Sequence, residues 1–506
     1  MHVTSLPSGG GIGDMGPAAY AFVDWLADAG QTLWQILPLG PVGYGNSPYS
    51  CTSAFAGNVL MISLERLAER GLLPPEKVAE LPDGEPRIDF DEVVELKLPL
   101  LREAAINFQR NARGSSRERY DVFCRANAWW LDDYVLFSSL RERFGKEPWN
   151  TWPEDICRRN SETIAALRSE MAPELDTERF LQFAFFEQWS SLRRYCAQRR
   201  VRVIGDVAIF VCYDSADVWT HPEIFRLNDD LSPAVVAGVP PDAFSETGQR
   251  WGHPLYNWDV LKAQGYGWWI ERMRWAVEKC DIVRLDHFRG FEACWEIPAE
   301  EPTAVHGRWV KGPNDSLFAA LQNALGKLPF IAEDLGLITP EVDQLRKKLN
   351  IPGMKVLQFG FGNRGAHIYL PHRYEPDSVV YTGTHDNDTT VGWWNSLATE
   401  EEKRLAAAYL GVDGEEVHWA FLRAALTSVA NMAVIPVQDV LGLGSEARMN
   451  VPSASDGSWT WRLTSGALTP KLAKRLAMLV DVSDRGPEPS GSGEQGDGET
   501  GEDFAA

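Results

Sequence analysis

Short β-branched or apolar runs recur along this chain with amphipathic helical stretches between them, and that alternation does most to limit its fold. Residues 31–37 (QTLWQIL) follow a helical stretch at 18–29, residues 201–209 (VRVIGDVAI) are bounded by polar residues, and Ile282–Leu285 and residues 329–332, 355–358 and 379–382 behave alike. Helical patterns over 268–278, 317–325 and 340–349 separate several of them. Strands alternating with helices predict parallel βα units. With 506 residues to place, repetition favours a (β/α)8 barrel over an open sheet. The stretch from about 65 to 199 breaks the rhythm. It is mostly helical, with charges on one side and Trp129, Trp130, Tyr134 and Phe137 on the other, so we read it as a helical subdomain inserted into the barrel. Residues 484–506 hold seven acids, one Arg and a single aromatic, too little apolar surface to offset ordering. They are expected to form a disordered acidic tail, leaving 1–483 as one α/β domain.

Charge and cysteine usage narrow the partners. There are 71 acids against 49 bases, a net charge of -22, of which the tail carries -6. A polyanion would be repelled, which argues against nucleic acid or an anionic membrane as partner. The seven cysteines are scattered, odd in number and form no C-x-x-C pair, as expected of reduced thiols in the cytoplasm. The N-terminus lacks the basic and apolar regions of a signal peptide. No run approaches the ~18 apolar residues of a membrane span. Tryptophan is unusually frequent, with 20 Trp against 13 Tyr and 22 Phe. Indole faces suit sugar rings, although buried Trp is also core material.

Acids stand just after the strand-like runs, and in a parallel barrel those positions lie on the C-terminal rim where active sites are built. Asp206 follows VRVIG, Asp286 follows DIVRL, Glu333 and Asp334 follow PFIA, and Asp386 follows VVYTGTH. One such acid can be a helix cap; four from four segments are harder to dismiss. Arg284 and Asp286 are two residues apart, so they share a side of their strand. A neighbouring guanidinium keeps a carboxylate ionised, which a glycosidase nucleophile requires; taken alone, such a pair is as readily structural. Glu333, at a partly desolvated rim, has its pKa raised, as suits a general acid that later acts as base. Asp334 points the other way and is expected to serve a cap or loop. His385 and Asp386 are suited to vicinal sugar hydroxyls. A metal-binding His-Asp pair would need further histidines on helices, and no H-x-x-x-H or H-E-x-x-H occurs. There is no P-loop, and Gly-Gly-Gly at 9–11 follows no complete strand. Neither a metal nor a cofactor is therefore expected, and the set points to glycoside chemistry.

The chain also resembles the 4-alpha-glucanotransferases (amylomaltases, or disproportionating enzymes), relatives of the alpha-amylases, from His2 to about Trp461. The motifs are HVTSLPS at 2–8, SPYSCTSAFAGN at 47–58, GDVAIFVCYDSADVW at 205–219, GVPPDAFSETGQRWGHPLYNWD at 238–259, RLDHFRGF at 284–291, IAEDLG at 331–336, GTHDNDT at 383–389 and ARMNVP at 447–452. The resemblance implies a (β/α)8 barrel without a C-terminal β-sandwich. It implies Asp286 as nucleophile, Glu333 as general acid/base and Asp386 as the third carboxylate, with Asp206, Arg284 and His385 in support. Tyr49, Asp242, Phe244 and Trp251 are implied as glucan contacts, with 238–252 as a loop over the cleft. The implied reaction moves alpha-1,4-glucan segments from a maltodextrin donor to the 4-hydroxyl of a glucose or glucan acceptor. Hydrolysis shares the first step, and a silent glucan-binding protein would share the scaffold; the complete carboxylate set argues against the latter. Family members also carry residues ahead of HVTSLP that complete a first strand. The start therefore lies elsewhere, or that strand is short.

Overall fold

The computed structural model describes residues 1–487 except 242–244, 363 and 453–456. Eleven strands fall, in order, at β1 (Leu33–Gln35), β2 (Arg202–Val207), β3 (Val235–Val239), β4 (Gln249–Pro254), β5 (Ile282–Leu285), β6 (Ala293–Pro298), β7 (Arg308–Lys311), β8 (Phe330–Ala332), β9 (Gly353–Val356), β10 (Ser378–Tyr381) and β11 (Met432–Val434). Seven of them make one parallel sheet in the order β1-β2-β5-β8-β9-β10-β11. It curls into the nearly closed barrel that the alternation predicts. Its interior is filled by Ile204, Ile282, Ile331, Met354, Val356, Val379 and Tyr381, one or two from each of five strands. The helices expected between strands lie at Pro17–Asp28, Gly267–Lys279, Asp315–Leu325 and Pro340–Lys348. Instead of a strand, the HVTSLP segment forms a 3-10 turn at Val3–Ser5. Trp34, buried on β1, donates its indole N–H to the Met1 carbonyl at 2.7 Å.

Between β1 and β2 run the helices Leu64–Glu69, Phe90–Asn111, Ser115–Arg143, Ser161–Glu170 and Ala172–Gln198, with shorter ones between. Two glutamines on the last of these anchor it to the barrel. Gln182 exchanges hydrogen bonds with the backbone N–H and C=O of Gly57 at 2.8 and 3.0 Å, and Gln188 does the same with Ser63 at 2.8 and 3.1 Å. A third tie is ionic. Lys97, fully buried, donates to the Leu60 carbonyl at 2.8 Å and pairs with Asp14 at 3.3 Å. At the far end, Arg485 donates to the carbonyls of Leu426, Ser428 and Ala430. The remainder of the expected acidic tail, 488–506, lies outside the described residues.

A feature the sequence did not announce is a second sheet, antiparallel, in the order β4-β3-β6-β7. It is assembled from the loops that follow β2 and β5. The segment read as a loop over the cleft therefore contains an antiparallel pair, β3 and β4, and its residues 242–244 lie outside the described residues. Among the described residues, no helix is long and apolar enough to cross a membrane.

Candidate active site

Sheet register lines up the carboxylates. Asp206 pairs with Arg284 across β2 and β5, and the ladder continues beyond the strand ends. The Asp286 N–H donates to the Val207 carbonyl and the Glu333 N–H to the Leu285 carbonyl, each at 3.0 Å. Asp286 and Glu333 thus stand level on neighbouring strands at the rim, with Asp206 and Arg284 two residues deeper in the same register. Gly205 leaves room for Cys280 beside β2: a Cβ there would stand 2.3 Å from the Cys280 sulfur, which would have to move.

Arg284, with its side chain 3 % exposed, binds the group together. Its Nη1 donates to both oxygens of Asp206 at 2.9 Å and lies 2.9 Å from Asp286 Oδ1. Tyr49 adds its hydroxyl, donating to Asp206 Oδ2 at 2.7 Å. Burial pushes the Asp206 carboxyl up, Arg284 holds it down, and Asp286 adds a further upward push. Asp206 carries no exposed side-chain surface, whereas Asp286 keeps about a quarter of its side chain, 27 %, open to the cleft. Glu333 is the most perturbed of the set. Burial, and then the nearby Asp286 charge, raise its carboxyl to about 8 against the opposing pull of Arg284. Two backbone amides orient it: Leu335 N–H on Oε1 at 2.9 Å and His287 N–H on Oε2 at 2.8 Å. His287 is left-handed, with φ 48°, which turns that amide toward the carboxylate. Asp334 instead accepts from Met354 N–H at 2.7 Å and pairs with Arg346 at 3.2 Å, bracing the loop as expected.

Asp386 lies beyond β10, about half exposed, with His385 Nε2 3.4 Å from its Oδ2. The His385 ring stacks on Tyr49, centroids 5.1 Å apart, so this acid is joined to the cluster through the aromatic. Trp251, on β4, stands edge-on to His287 at 4.9 Å and donates to Gln249. Asp242 and Phe244 lie outside the described residues. His287 and His253, which sequence left open between structural and binding duties, are both held down to about 4 by burial. Sequence reasoning gave no role to Trp459, which packs on both Tyr49 and His385 at 5.9 and 5.7 Å. Nor did it give one to Asn450, whose amide reaches Asp386 at 2.6 Å. Asn450 stood inside the ARMNVP motif, but only the folded chain brings it to the rim.

A parallel barrel carrying an arginine-bridged carboxylate pair, a carboxyl raised toward neutrality and a third acid on one rim defines an enzyme acting on glycosidic bonds. The chain belongs to the 4-alpha-glucanotransferase family, whose profile matches residues 1–469. It is 49% identical over 493 residues to the 4-alpha-glucanotransferase of Thermus thermophilus, covering 96% of this chain and 98% of that one. The Synechocystis 4-alpha-glucanotransferase is 46% identical, with 96% and 97% covered. Among solved structures, an amylomaltase from Streptococcus agalactiae in complex with acarbose superposes with a TM-score of 0.93 at 36% identity, covering 96% of this chain and 99% of that one. An amylomaltase from Corynebacterium glutamicum shares the fold, with a TM-score of 0.76 at 19% identity and 96% and 74% covered. Transfer of alpha-1,4-glucan segments is accordingly the activity of this chain.

Proposed function

We propose that Asp286 is the nucleophile, Glu333 the general acid/base and Asp386 the carboxylate that grips the distorted sugar, in a retaining double displacement. The observation that carries this is the Arg284 bridge with Glu333 beside it: one carboxylate ion-paired and open to the cleft, its neighbour pushed up to about 8. In the first step the Asp286 oxygen bonds to C1 of the donor sugar. The C1–O4 bond breaks, and the Glu333 proton passes to the departing O4. Formation of the ester removes the Asp286 charge, which is the second of the causes that raise Glu333. Glu333, now ionised and easier to keep so, draws the proton from the acceptor 4-hydroxyl in the second step. That oxygen attacks C1, and the Asp286 carboxylate leaves. Asp206 and Tyr49 hold Arg284 against Asp286, His385 steadies Asp386, and the β3–β4 segment with Trp251, Asp242 and Phe244 excludes water and offers surface to the sugar chain.

The donor in this reading is a maltodextrin or another alpha-1,4-glucan, and the acceptor is glucose or a glucan. Residues 1–483 act as one catalytic unit in which the helical insertion buttresses the β1 and β2 side of the barrel. The seven free thiols support a cytoplasmic location. Maltotriose as sole substrate tests the reading. Transfer yields glucose and longer maltodextrins with little net gain in reducing ends, whereas a steady gain in reducing ends shows hydrolysis and refutes it. Asp286→Ala should abolish turnover; a variant that still turns over refutes the nucleophile.

A further inference from the structure

Asp386 is more exposed than the nucleophile candidate and lacks its ion-pair partner. Asp286 is pinned by Arg284 and Glu333 by two amides, but Asp386 sits on a loop with 49% of its side chain exposed. With half of the side chain open, packing alone holds its rotamer weakly, and hydrogen bonds supply the restraint. They come from a distant part of the chain. Asn450, 64 residues downstream, donates Nδ2–H to Asp386 Oδ1 at 2.6 Å. The Asn450 backbone N–H donates to the His385 carbonyl at 3.1 Å, and Arg448 Nη2 donates to the Asp386 carbonyl at 3.0 Å. The reaching segment is itself fixed: Gln438 donates to the Ala447 carbonyl at 3.2 Å and the Trp459 N–H to the Met449 carbonyl at 2.5 Å. The amide can meet a carboxylate only through its NH2, because the other orientation sets oxygen against oxygen.

We infer that Asn450 is the positioning residue of Asp386: it fixes the carboxylate rotamer by one charge-assisted hydrogen bond, leaving the remaining lone pairs directed at the hydroxyls of the sugar under attack. His385 flanks the other oxygen at 3.4 Å, and Arg448 restrains the main chain beneath. The inference rests on the reading of Asp386 as a carboxylate that grips the sugar as it distorts. Interactions of that kind strengthen in the transition state, so their loss falls on kcat.

The test is a double-mutant cycle on maltotriose disproportionation in the full chain, with kcat and KM measured separately. Asn450→Ala is expected to lower kcat by about 30-fold, the scale of a slight misplacement of a reacting group, with KM changed less than about twofold. Asn450→Asp replaces the donor by an acceptor of the same size and is expected to lose at least as much. In an Asp386→Asn background, Asn450→Ala should add less than about twofold, because its partner is already disabled. Parental kcat in Asn450→Ala, or the same fold-loss in both backgrounds, overturns the positioning role. Parental kcat in Asp386→Asn alone overturns the reading of Asp386 itself, so the two failures are distinguishable.

Discussion

The raised carboxyl of Glu333 gives the sharpest quantitative handle. At an ordinary value near 4.5, only about one molecule in three hundred would carry the acid proton at pH 7; at about 8, roughly nine in ten do. Burial and the Asp286 charge together therefore supply most of the competent form at neutral pH. For disproportionation of maltotriose, kcat/KM should stay level across neutrality and fall tenfold per pH unit above about 8. The perturbation that isolates the cause is Asp286→Asn, which removes the neighbouring charge and leaves the burial. Turnover is lost in that variant, so the titration is read by NMR on carbon-labelled glutamate. The Glu333 carboxyl should move down from about 8 toward 7, an order-of-magnitude neighbour effect, and remain well above 4.5 because burial is the larger cause. A basic limb below pH 6 in the parent, or a Glu333 titration in Asp286→Asn that is unchanged or higher, would falsify the electrostatic account.

Two further predictions concern stability. Since folding raises the Glu333 carboxyl, the native chain binds more protons there than the unfolded chain between about 4.5 and 8. That contribution is complete below 4.5 and is lost as pH rises through 8, so Glu333→Gln should melt higher than the parent at about pH 9, with the gap shrinking toward pH 4.5 in calorimetry. A gap of constant size would refute the linkage. The buried Lys97–Asp14 pair gives the second: Lys97→Met strands Asp14 and should cost about 3 kcal/mol in urea unfolding, while a Lys97→Met/Asp14→Asn double variant recovers at least half. Equal losses in the single and double variants would show that packing, not charge, is what Lys97 supplies.

The rim carboxylates were legible because position after a strand is a property of connectivity alone. Once 282–285 and 329–332 read as strands, Asp286 and Glu333 had to lie on the rim, and the register shows both amides continuing the ladder there. Other elements were hidden for reasons that are themselves physical. The strand read at 355–358 in fact begins at Gly353, a residue that looks like a breaker. It is glycine because a Cβ would stand 2.3 Å from the Asp334 carboxylate that braces the loop. β11 is three half-buried residues, too short for any period to show. β4, with Gly252 at φ 78° and ending at Pro254, carries turn residues inside a strand that lies at the edge of its sheet. Asn450 is the extreme case: it stands in the ARMNVP motif, but its partner lies 64 residues away, and no local pattern pairs the two.

The central claim, that Asp286 attacks the sugar carbon while Glu333 handles the proton, is tested most directly by trapping the intermediate. Glu333→Gln incubated with an alpha-maltosyl fluoride, whose leaving group needs no protonation, should accumulate a covalent glycosyl-enzyme. Peptide mass spectrometry should place one maltosyl unit on Asp286, and an added maltodextrin acceptor should not discharge it at the parental rate. An adduct on any other residue, or consumption of the fluoride by Asp286→Ala at the rate of the parent, would contradict the account.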